Sequence, residues 1–372
     1  MEKPKVCILT SVHSPFDTRI FHKQAKSLAE AGYDITLIAQ HSKKEIIDDI
    51  KIVPLEKNKN RFERIFKSNW QVFKKALKED ADIYHFHDPE LIPIGLLLKL
   101  KGKKVIYDVH EDVPQQILSK EWIWKPIRKL VSNLVNSVEK LADKFLTAIV
   151  SATPAIDNKF NNKNSIAVQN FPLLNELNRL EVSEDKSEKN IITYVGGISE
   201  IRGIKEMIQA VEYLPEKYKT KFLLAGNFSS NSLKKKAKKL NGWDRVEFQG
   251  WIDREQVAEN LAKAKVGLVC FHPAPNHMNA QPNKMFEYMS AALPVIASNF
   301  PLWEEIIEGN NCGINVEPQN PKEIAEAIQY IFEHPKEAKQ MGRNSRKAVE
   351  EKYNWSIEEK KLLDLYQKIM EV

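Results

Sequence analysis

Residues 279–297 read Asn-Ala-Gln-Pro-Asn-Lys-Met-Phe-Glu-Tyr-Met-Ser-Ala-Ala-Leu-Pro-Val-Ile-Ala. Pro282 predicts a helix that begins near Asn283, because proline is tolerated where a helix starts and the first N–H groups have no partner within the helix. The apolar run Leu293–Ala297 then predicts a buried strand. A helix that leads into a buried strand is typical of βαβ units, which build parallel sheets.

The same alternation of apolar runs and helical patterns continues along the whole chain. Further strands are predicted at Val6–Thr10, Asp34–Ala39, Ile83–Phe86, Lys104–Asp108, Phe145–Val150, Ile191–Val195, Lys221–Ala225, Val246–Phe248 and Val266–Cys270. Residues 173–189 are polar and charge-rich, which indicates a linker. We therefore predict an α/β protein with two doubly wound, Rossmann-like domains, at residues 1–172 and 190–345. Residues 346–372 are expected to form one more helix, which packs back on the first domain.

The composition is that of a water-soluble globular protein. The chain has 372 residues, of which 42% are hydrophobic and 28% charged, and this balance excludes a disordered chain. No apolar stretch reaches the roughly 20 residues that a membrane-spanning helix needs. The N-terminus lacks the apolar segment of a secretory signal, so we expect a cytoplasmic protein. Of the three cysteines, Cys7 and Cys270 lie in apolar runs and are expected to be buried thiols.

The net charge of +6 suits an anionic small substrate, an anionic membrane surface or nucleic acid. The lysine-rich stretch Ser232–Leu240 carries no interleaved aromatic residues, so a solvated helix face is the favoured interpretation. We therefore expect no nucleic-acid partner.

Polar residues follow two predicted strands of the first half, at the sheet edge where parallel sheets bind ligands. His85, His87 and Asp88 lie at the end of one strand; they are either metal ligands or, as we favour, a polar strand end. His110 and Glu111 follow the next strand. The imidazole of His110 is well placed there to hydrogen-bond a hydroxyl or to share a proton.

Two further polar stretches leave their role open. The loop His13–Arg19 contains no glycine, which excludes a GxGxxG dinucleotide site after the first strand. Arg19 lies near a helix N-terminus, where it either meets an anion or pairs with Asp17. Asp80 and Asp82 precede a strand, so we interpret them as acids in a turn rather than as a metal site.

In the second half, Gly196 and Gly197 follow the strand Ile191–Val195, and two glycines let a backbone approach a ligand closely. Arg202 supplies a guanidinium that can fork onto phosphate oxygens. The helix that begins near Asn283 adds a partial positive charge, and Lys284 adds a full one, which suits a diphosphate. Glu287 follows one turn later, where a carboxylate can accept from two ribose hydroxyls.

A helix in the first half begins with a cluster of aromatic and basic residues: Trp122, Trp124, Lys125, Arg128 and Lys129. Its apolar residues recur at helical spacing, so a core-facing amphipathic helix is the favoured interpretation. The alternative is an interfacial patch, because tryptophan and basic side chains suit lipid headgroups.

The stretch Asn283–Ala297, after Gly196-Gly197 and Arg202-Gly203, resembles a family 4 glycosyltransferase of the GT-B fold. The resemblance covers nearly the whole chain. It includes the opening Asp17-Thr-Arg-Ile-Phe and the tail Tyr353-Asn-Trp-Ser.

The sequence departs from that family's pattern at three positions. Asn279 stands where the family has the first glutamate of a Glu-x7-Glu pair that ends at Glu287. Ala292 replaces a glycine before Pro294. Gly197 occupies the position of the arginine in the family's basic pair, and Arg202 that of the lysine, so one cation is missing. Lys284 and Arg19 are the two candidates to replace it.

The resemblance implies a role for each of these residues. Glu287 holds the donor ribose, Arg202 and the amides around Gln281–Lys284 hold the diphosphate, and His110 faces the acceptor or the reacting sugar. The further residues implied on the donor side are Gly196, Gly197, Asn227, Asn279, Gln281, Pro282, Asn283 and Lys284, and those on the acceptor side are Asp17, Arg19, His87 and Glu111.

The function that follows is a retaining, metal-independent glycosyltransferase that needs no cofactor beside its nucleotide-sugar donor. UDP-sugars are favoured over GDP-sugars, and the acceptor is a saccharide or a lipid-linked saccharide, reached from the inner face of the cell membrane. A nucleotide-sugar epimerase of related fold and a catalytically weak nucleotide-sugar-binding subunit remain alternatives.

Overall fold

The computed structural model describes residues 3–56, 69–119, 123–174 and 190–371. The chain forms two compact units. The first comprises Met1–Asn170 and Trp355–Val372, and the second comprises Phe171–Asn354. The second unit thus extends through Asn354, beyond the predicted boundary at residue 345. The predicted linker lies, after Leu174, outside the described residues.

The first unit is built on an eight-stranded sheet with the strand order β3-β4-β2-β1-β5-β6-β7-β8. Every pairing is parallel except β3 with β4. The strands are β1 (Lys5–Leu9), β2 (Asp34–Gln40), β3 (Glu45–Ile47), β4 (Ile50–Leu55), β5 (Ile83–Phe86), β6 (Lys104–Val109), β7 (Ala148–Ser151) and β8 (Ser165–Ala167). The inner strands are buried on both faces because helices cover the sheet on each side.

The helices of the first unit connect these strands. They are α1 (Lys26–Glu30), α2 (Asn69–Glu79), α3 (Ile92–Leu100), α4 (Val113–Ser119), α5 (Lys125–Phe145) and α6 (Pro154–Asp157). A π-helical segment, Thr18–Ala25, precedes α1. Because π-helical hydrogen bonds join residues five apart, Arg19 and Gln24 come to the same side of this segment.

The second unit carries a six-stranded, wholly parallel sheet with the order β11-β10-β9-β12-β13-β14. Its strands are β9 (Ile191–Val195), β10 (Lys221–Ala225), β11 (Val246–Gly250), β12 (Val266–Val269), β13 (Val295–Ser298) and β14 (Gly313–Val316). Its helices are α7 (Ile204–Tyr213), α8 (Asn231–Ala237), α9 (Arg254–Lys263), α10 (Pro275–Met278), α11 (Asn283–Ser290), α12 (Pro301–Ile307), α13 (Pro321–Glu333) and α14 (Pro335–Glu351).

The last helix, α15 (Trp355–Met370), belongs to the first unit. The indole Nε1 of Trp355 donates to Ser27 Oγ at 2.9 Å, and Tyr366 Oη lies 2.7 Å from His85 Nδ1. Both aromatic side chains are buried. The chain end therefore completes the layer of helices on the first sheet.

The predicted fold class, with two parallel-sheet α/β units, is confirmed. Two local predictions are wrong or incomplete. The strand expected at Phe145–Val150 begins only at Ala148, because α5 continues through Phe145. The strands β3, β4, β8 and β14 were not predicted; all four lie at or next to a sheet edge. None of the helices in the described part of the chain is long and apolar enough to cross a membrane.

Ala292, in the turn between α11 and β13, has a φ of 53°. This left-handed conformation brings the Cβ of an L-residue close to the following carbonyl oxygen, whereas glycine adopts it freely. We expect Ala292→Gly to increase the free energy of unfolding by about 1 kcal/mol. The measurement is guanidinium unfolding followed by tryptophan fluorescence.

The matched control is Ala291→Gly, since the preceding residue has an ordinary φ of −81°. There the added glycine flexibility should destabilise the protein. A stability gain at Ala291 equal to that at Ala292 would contradict the argument from backbone strain.

Candidate active site

At the carboxyl edge of the second sheet, the strands β9 and β10 are each followed by a glycine with positive φ. Gly196 has a φ of 126° and Gly226 a φ of 135°. A Cβ atom on Gly226 would lie 1.9 Å from the carbonyl oxygen of Gly196, so only glycine fits there. The two turns pass each other closely. Asn227 lies beside them, and its carbonyl accepts from the N–H of Ile198 at 2.9 Å.

Arg202 ends a short 3₁₀ turn at this edge, and Gly203 follows it with a φ of 70°. A Cβ atom on Gly203 would lie 1.9 Å from the carbonyl oxygen of Cys270, so glycine lets this turn pack against the end of β12. The guanidinium of Arg202 donates through NH1 to the carbonyl oxygen of Gly197 at 3.0 Å. It also lies 5.6 Å from the centre of the Phe271 ring.

Lys284, the second residue of α11, carries a buried amine next to Arg202. Its Nζ lies 3.6 Å from the centre of the Tyr194 ring and 5.2 Å from that of Phe271. Within the described residues, Nζ has no hydrogen-bond partner. Burial holds the pKa of Lys284 well below its usual range, and the charge of Arg202 lowers it further. An ammonium in this position is costly unless an anion binds beside it.

These groups line one cavity of about 700 Å³ in the second unit. The amino end of α11 faces it, and no side chain caps that end. The first N–H groups of a helix lack partners within it, so they add partial positive charge to the cavity. The structure brings these predicted donor-site residues into its lining: Gly196, Gly197, Arg202, Asn227, Pro282, Asn283, Lys284 and Glu287.

Glu287 shares this cavity with two residues that the sequence analysis missed. Its Oε1 accepts from Arg254 NH1 at 2.7 Å, which holds the carboxylate at the cavity wall. Trp251 also lines the cavity and is 72% exposed. Both follow β11, and the rule that parallel strands present ligand-binding residues at their carboxyl ends would have found them.

Asn279 and Gln281 do not lie in the lining of this cavity. They belong to the connection between α10 and α11, where Trp303 Nε1 donates to the carbonyl oxygen of Ala280 at 2.7 Å. Asn279 is exposed, and the buried Oε1 of Gln281 has no partner among the described residues. The structure therefore separates these two predicted donor-site residues from the other eight.

At the carboxyl edge of the first sheet, Arg19 forms a buried ion pair with Asp108, so both sequence interpretations of Arg19 are wrong. Its Nε and NH2 donate to Asp108, with NH2 at 2.9 Å from Oδ1, and its NH1 donates to the carbonyl oxygen of Val168 at 2.7 Å. Gln24 Nε2 donates to Asp108 Oδ2 at 2.6 Å. Arg19 is 3% exposed. Its guanidinium is thus neither paired with Asp17 nor available to replace the missing cation of the second unit.

Asp17 caps the π-helical segment instead. Its Oδ1 accepts from the N–H groups of Arg19 and Ile20, at 2.9 and 3.1 Å. Burial alone would raise the pKa of Asp17, but its hydrogen bonds with His13 and with these backbone N–H groups lower the pKa to about 2. Asp17 is therefore a carboxylate at any physiological pH.

Three histidines surround Asp108. His85 Nε2 lies 3.5 Å from its carboxylate, and His87 Nδ1 and His110 Nε2 each lie 3.7 Å from it. His87 Nδ1 also lies 3.0 Å from His110 Nε2, so one nitrogen of this pair donates to the other. His110 is the most exposed of the three, with 20% of its side chain accessible. Burial lowers the pKa of His110 to about 4, although the charge of Asp108 opposes that shift.

His85, His87 and Asp108 are close enough to hold a metal ion, with candidate ligand atoms within 4.8 Å of one another. The donor set does not fit that use. The carboxylate of Asp108 is already shared between Arg19 and Gln24, and the adjacent guanidinium would repel a divalent cation. A polar strand end, stabilised by a buried ion pair, describes this cluster better.

The remaining acids predicted at this sheet do not join the cluster. Glu111 is exposed and bonded to Gln116. Asp80 pairs with Lys103 at 2.6 Å, and Asp82 accepts from the N–H of Lys5 at 2.8 Å. Both aspartates precede β5 and serve separate partners, as expected for acids in a turn.

Comparison with known proteins places the chain in a family. Residues 178–348 match the family described as glycosyl transferases group 1, and residues 18–166 match glycosyltransferase family 4. The protein is a glycosyltransferase of this group 1, family 4 type. Its two parallel-sheet units are those of the GT-B fold.

Three similar proteins illustrate the match. An uncharacterized glycosyltransferase of Methanocaldococcus jannaschii is 24% identical, over 81% of this chain and 78% of its own. The capsular polysaccharide biosynthesis glycosyltransferase CapM of Staphylococcus aureus is 24% identical, over 64% of this chain and 63% of its own. The structure of Anabaena HepE in complex with UDP-glucose has a TM-score of 0.72 and 13% identity, and the alignment covers 98% of this chain and 99% of that one.

The structure of this glycosyltransferase shows the surroundings of two departures from the family pattern. A Cβ atom on Gly197 would lie 2.7 Å from NH1 of Arg202, so the guanidinium of Arg202 occupies the space where a side chain at 197 would begin. Lys284 then supplies a second basic group beside it. Ala292, in place of the family's glycine, retains the left-handed conformation at that turn.

The pKa of His110 leads to a prediction about acid stability. The unfolded chain takes up a proton near pH 6.5, whereas folded His110 stays neutral down to about pH 4. The contribution of His110 to folding stability is therefore full above pH 6.5 and falls as the pH is lowered from 6.5 to 4. In an NMR titration, the His110 ring signal should move with a midpoint near pH 4.

The variant His110→Gln identifies that signal by its loss and should show a weaker acid dependence of the free energy of unfolding. A His110 midpoint above pH 6.5 would show that the imidazole is charged at the site, contrary to this assignment.

Proposed function

We propose that this glycosyltransferase transfers a hexosyl or N-acetylhexosaminyl group, with retention of anomeric configuration, from a nucleoside diphosphate sugar to a saccharide or lipid-linked saccharide. UDP is the favoured nucleotide and GDP the second. The pathway is synthesis of a cell-envelope polysaccharide or glycoconjugate. Two similar proteins support this proposal: CapM is a capsular polysaccharide biosynthesis glycosyltransferase, and the structure of HepE is that of a complex with UDP-glucose.

The buried amine of Lys284 is the observation that carries the proposal. It lies at the cavity wall next to Arg202 and to the amino end of α11, and no described acceptor neutralises it. Two basic side chains and free helix amides directed at one cavity fit a diphosphate better than a neutral sugar. The roughly 700 Å³ of this cavity lies within the usual size of small-molecule sites.

The same groups supply the chemistry of the transfer. As the bond between the sugar and the diphosphate breaks, negative charge develops on the leaving phosphate. Fixed donors aimed at that phosphate lower the barrier, because they need no reorganisation during the reaction. Arg202 and Lys284 take this role, Glu287 accepts from the ribose hydroxyls, and Asn227 lies near the nucleotide.

On the acceptor side, His110 is neutral at physiological pH and offers one nitrogen to a sugar hydroxyl. Asp108 and His87 hold its ring through the contacts described above. Asp17, Arg19 and Glu111 act indirectly in this proposal: Asp17 caps the segment that carries Arg19, Arg19 neutralises Asp108, and Glu111 lies exposed beside His110.

We further propose that the transfer requires no divalent metal ion, since Arg202, Lys284 and the α11 amides already provide the positive charge that a metal would bring. The protein is proposed to act in the cytoplasm, at the inner face of the membrane when the acceptor is lipid-linked.

Replacement of Lys284 tests the donor site. We expect Lys284→Met to weaken UDP binding by about 10- to 100-fold, the effect of losing one hydrogen bond to a charged group. The same variant should unfold at a higher denaturant concentration in the absence of nucleotide, because a buried unpaired amine is removed. Isothermal titration calorimetry and guanidinium unfolding measure the two effects.

Lys205→Met is the matched control, since Lys205 lies in the same unit but pairs with Glu200 away from the cavity. Its UDP affinity should equal that of the wild type. Equal UDP affinity of Lys284→Met and the wild type would show that the diphosphate does not bind next to Lys284. Tight UDP binding without sugar transfer to any acceptor would favour the binding-subunit alternative, and release of an epimerised nucleotide-sugar would favour the epimerase.

Removal of metal ions tests the proposed metal independence. Transfer from the preferred nucleotide-sugar should proceed at the same rate in EDTA as in Mg²⁺ or Mn²⁺, measured as release of the free nucleoside diphosphate. Activity lost in EDTA and restored by a divalent cation would show that the cationic side chains do not suffice.

A further inference from the structure

The long helix α5 packs on the first unit with only part of its apolar side inward. Its buried residues are Ser132, Glu139 and Ala142, and the half-buried Val131, Val135 and Val138 lie on the same side. Val138 packs against the core, and Ser132 Oγ donates to the carbonyl oxygen of Pro114 at 2.8 Å, which joins α5 to α4. The favoured sequence interpretation, an apolar side that faces the core, therefore describes only these valines and not the other apolar residues of the helix.

The rest of the apolar side of α5 lies at the surface. Leu130 is 70% exposed and Leu134 63%, and Trp124, just before the helix, is 72% exposed. The further exposed apolar residues on this side are Ile127, Leu141 and Phe145. Their spacing of three, four and seven residues places them in one row, which we call the α5 stripe. Trp122 lies outside the described residues.

The neighbouring helix α3 extends this surface. It packs against α5 and exposes Leu97 and Leu100, the latter to 83%. Isolated exposed apolar residues are ordinary, but a contiguous apolar surface on a folded unit marks a binding site for a partner or a membrane.

Basic residues surround the α5 stripe. Those on the helix itself are Lys125, Arg128, Lys129, Lys140 and Lys144, whereas its acids are only the buried Glu139 and Asp143. At the end of α5, a cavity of about 720 Å³ has a rim with six lysines: Lys99, Lys103, Lys104, Lys144, Lys163 and Lys368. Three of these serve the fold, since Lys103 pairs with Asp80, Lys104 donates to the carbonyl oxygen of Ile369, and Lys99 donates to Thr147 Oγ1.

We propose that the α5 stripe docks the protein on an anionic lipid bilayer. The apolar side chains enter the boundary between headgroups and acyl chains, and the surrounding lysines and arginine contact the anionic headgroups. A helix with an apolar row and a basic polar side is the pattern of interfacial helices. Each basic residue near an anionic surface adds to the binding, and Trp124 suits the headgroup level.

The charge pattern distinguishes a bilayer from a second copy of the chain. Pairing two α5 stripes would bring two sets of basic residues together without acids to neutralise them, whereas an anionic surface neutralises both the helix and the lysine rim. The proposal goes beyond the proposed reaction and does not depend on it, because docking needs neither donor nor acceptor.

Docking would also place the candidate acceptor side near the lipid. Helix α4 follows directly after His110–Asp112 and packs against α5. Lys159 joins Asp112 to the buried side of α5, with Nζ at 2.7 Å from Asp112 and 3.8 Å from Glu139. Asp112, two residues after His110, is thus linked through Lys159 to the docking helix.

Vesicle sedimentation tests this inference. The wild type should sediment with vesicles of equimolar phosphatidylcholine and phosphatidylglycerol at low salt, but not with pure phosphatidylcholine. Leu130→Ser/Leu134→Ser should lower the partition coefficient about tenfold or more, and Lys129→Glu/Lys140→Glu should lower it and weaken its salt dependence. All four positions are exposed, so the variants should keep the thermal stability and UDP affinity of the wild type.

Two matched controls change exposed residues elsewhere: Ile46→Ser, at a position 71% exposed on β3, and Lys235→Glu/Lys239→Glu in the second unit. Both should bind the vesicles like the wild type. Wild-type protein that stays in the supernatant, or vesicle binding unchanged in Leu130→Ser/Leu134→Ser, would overturn the proposal. If the wild type sediments as a dimer and Leu130→Ser/Leu134→Ser as a monomer, the α5 stripe binds a second copy of the chain instead. If the wild type binds vesicles but does not bind UDP, the proposed reaction is contradicted and the docking proposal is not.

Discussion

A buried amine that has no hydrogen-bond partner among the described residues organises the candidate donor site. Lys284 Nζ lies near the rings of Tyr194 and Phe271 and next to the guanidinium of Arg202. The surrounding backbone accommodates it: Gly196 carries no side chain, and a Cβ atom there would lie 2.9 Å from Nζ. Burial and the charge of Arg202 disfavour the ammonium form of Lys284, and the aromatic faces offset this cost only weakly. In the proposed reaction, a bound diphosphate would stabilise that charged form.

Much of this site could be predicted from the sequence, because the relevant signals are local. Pro282 indicates where α11 begins, Lys284 and Glu287 follow at fixed positions within one turn, and glycines after β9 indicate a close approach of backbone to ligand. Arg254 and Trp251 were missed, although their position after β11 obeys the same rule. The separation of Asn279 from the cavity depends on the path of a connecting segment, for which the sequence has no local signal.

The features that the sequence could not predict depend on contacts between distant residues. Arg19 and Asp108 are 89 residues apart, and nothing near either position indicates the pair. Likewise, the periodicity of α5 shows that the helix has an apolar side but not how much of that side is covered. In the structure, the packed side is centred on Ser132, Glu139 and Ala142, so the apolar side is covered only in part. How much of an apolar side is buried depends on the surface that the helix meets.

The return of the chain end to the first unit has a consequence for synthesis on the ribosome. Domains generally fold as units while the chain emerges, starting from the N-terminus. Here the partner of Ser27, Trp355, and the partner of His85, Tyr366, emerge only at the end of synthesis; Tyr366 follows His85 by 281 residues. The first unit therefore remains without its last helix until the whole second unit has been translated. During that interval the buried histidine cluster and the apolar groove for α15 are open, so the second unit is the first that can fold to completion.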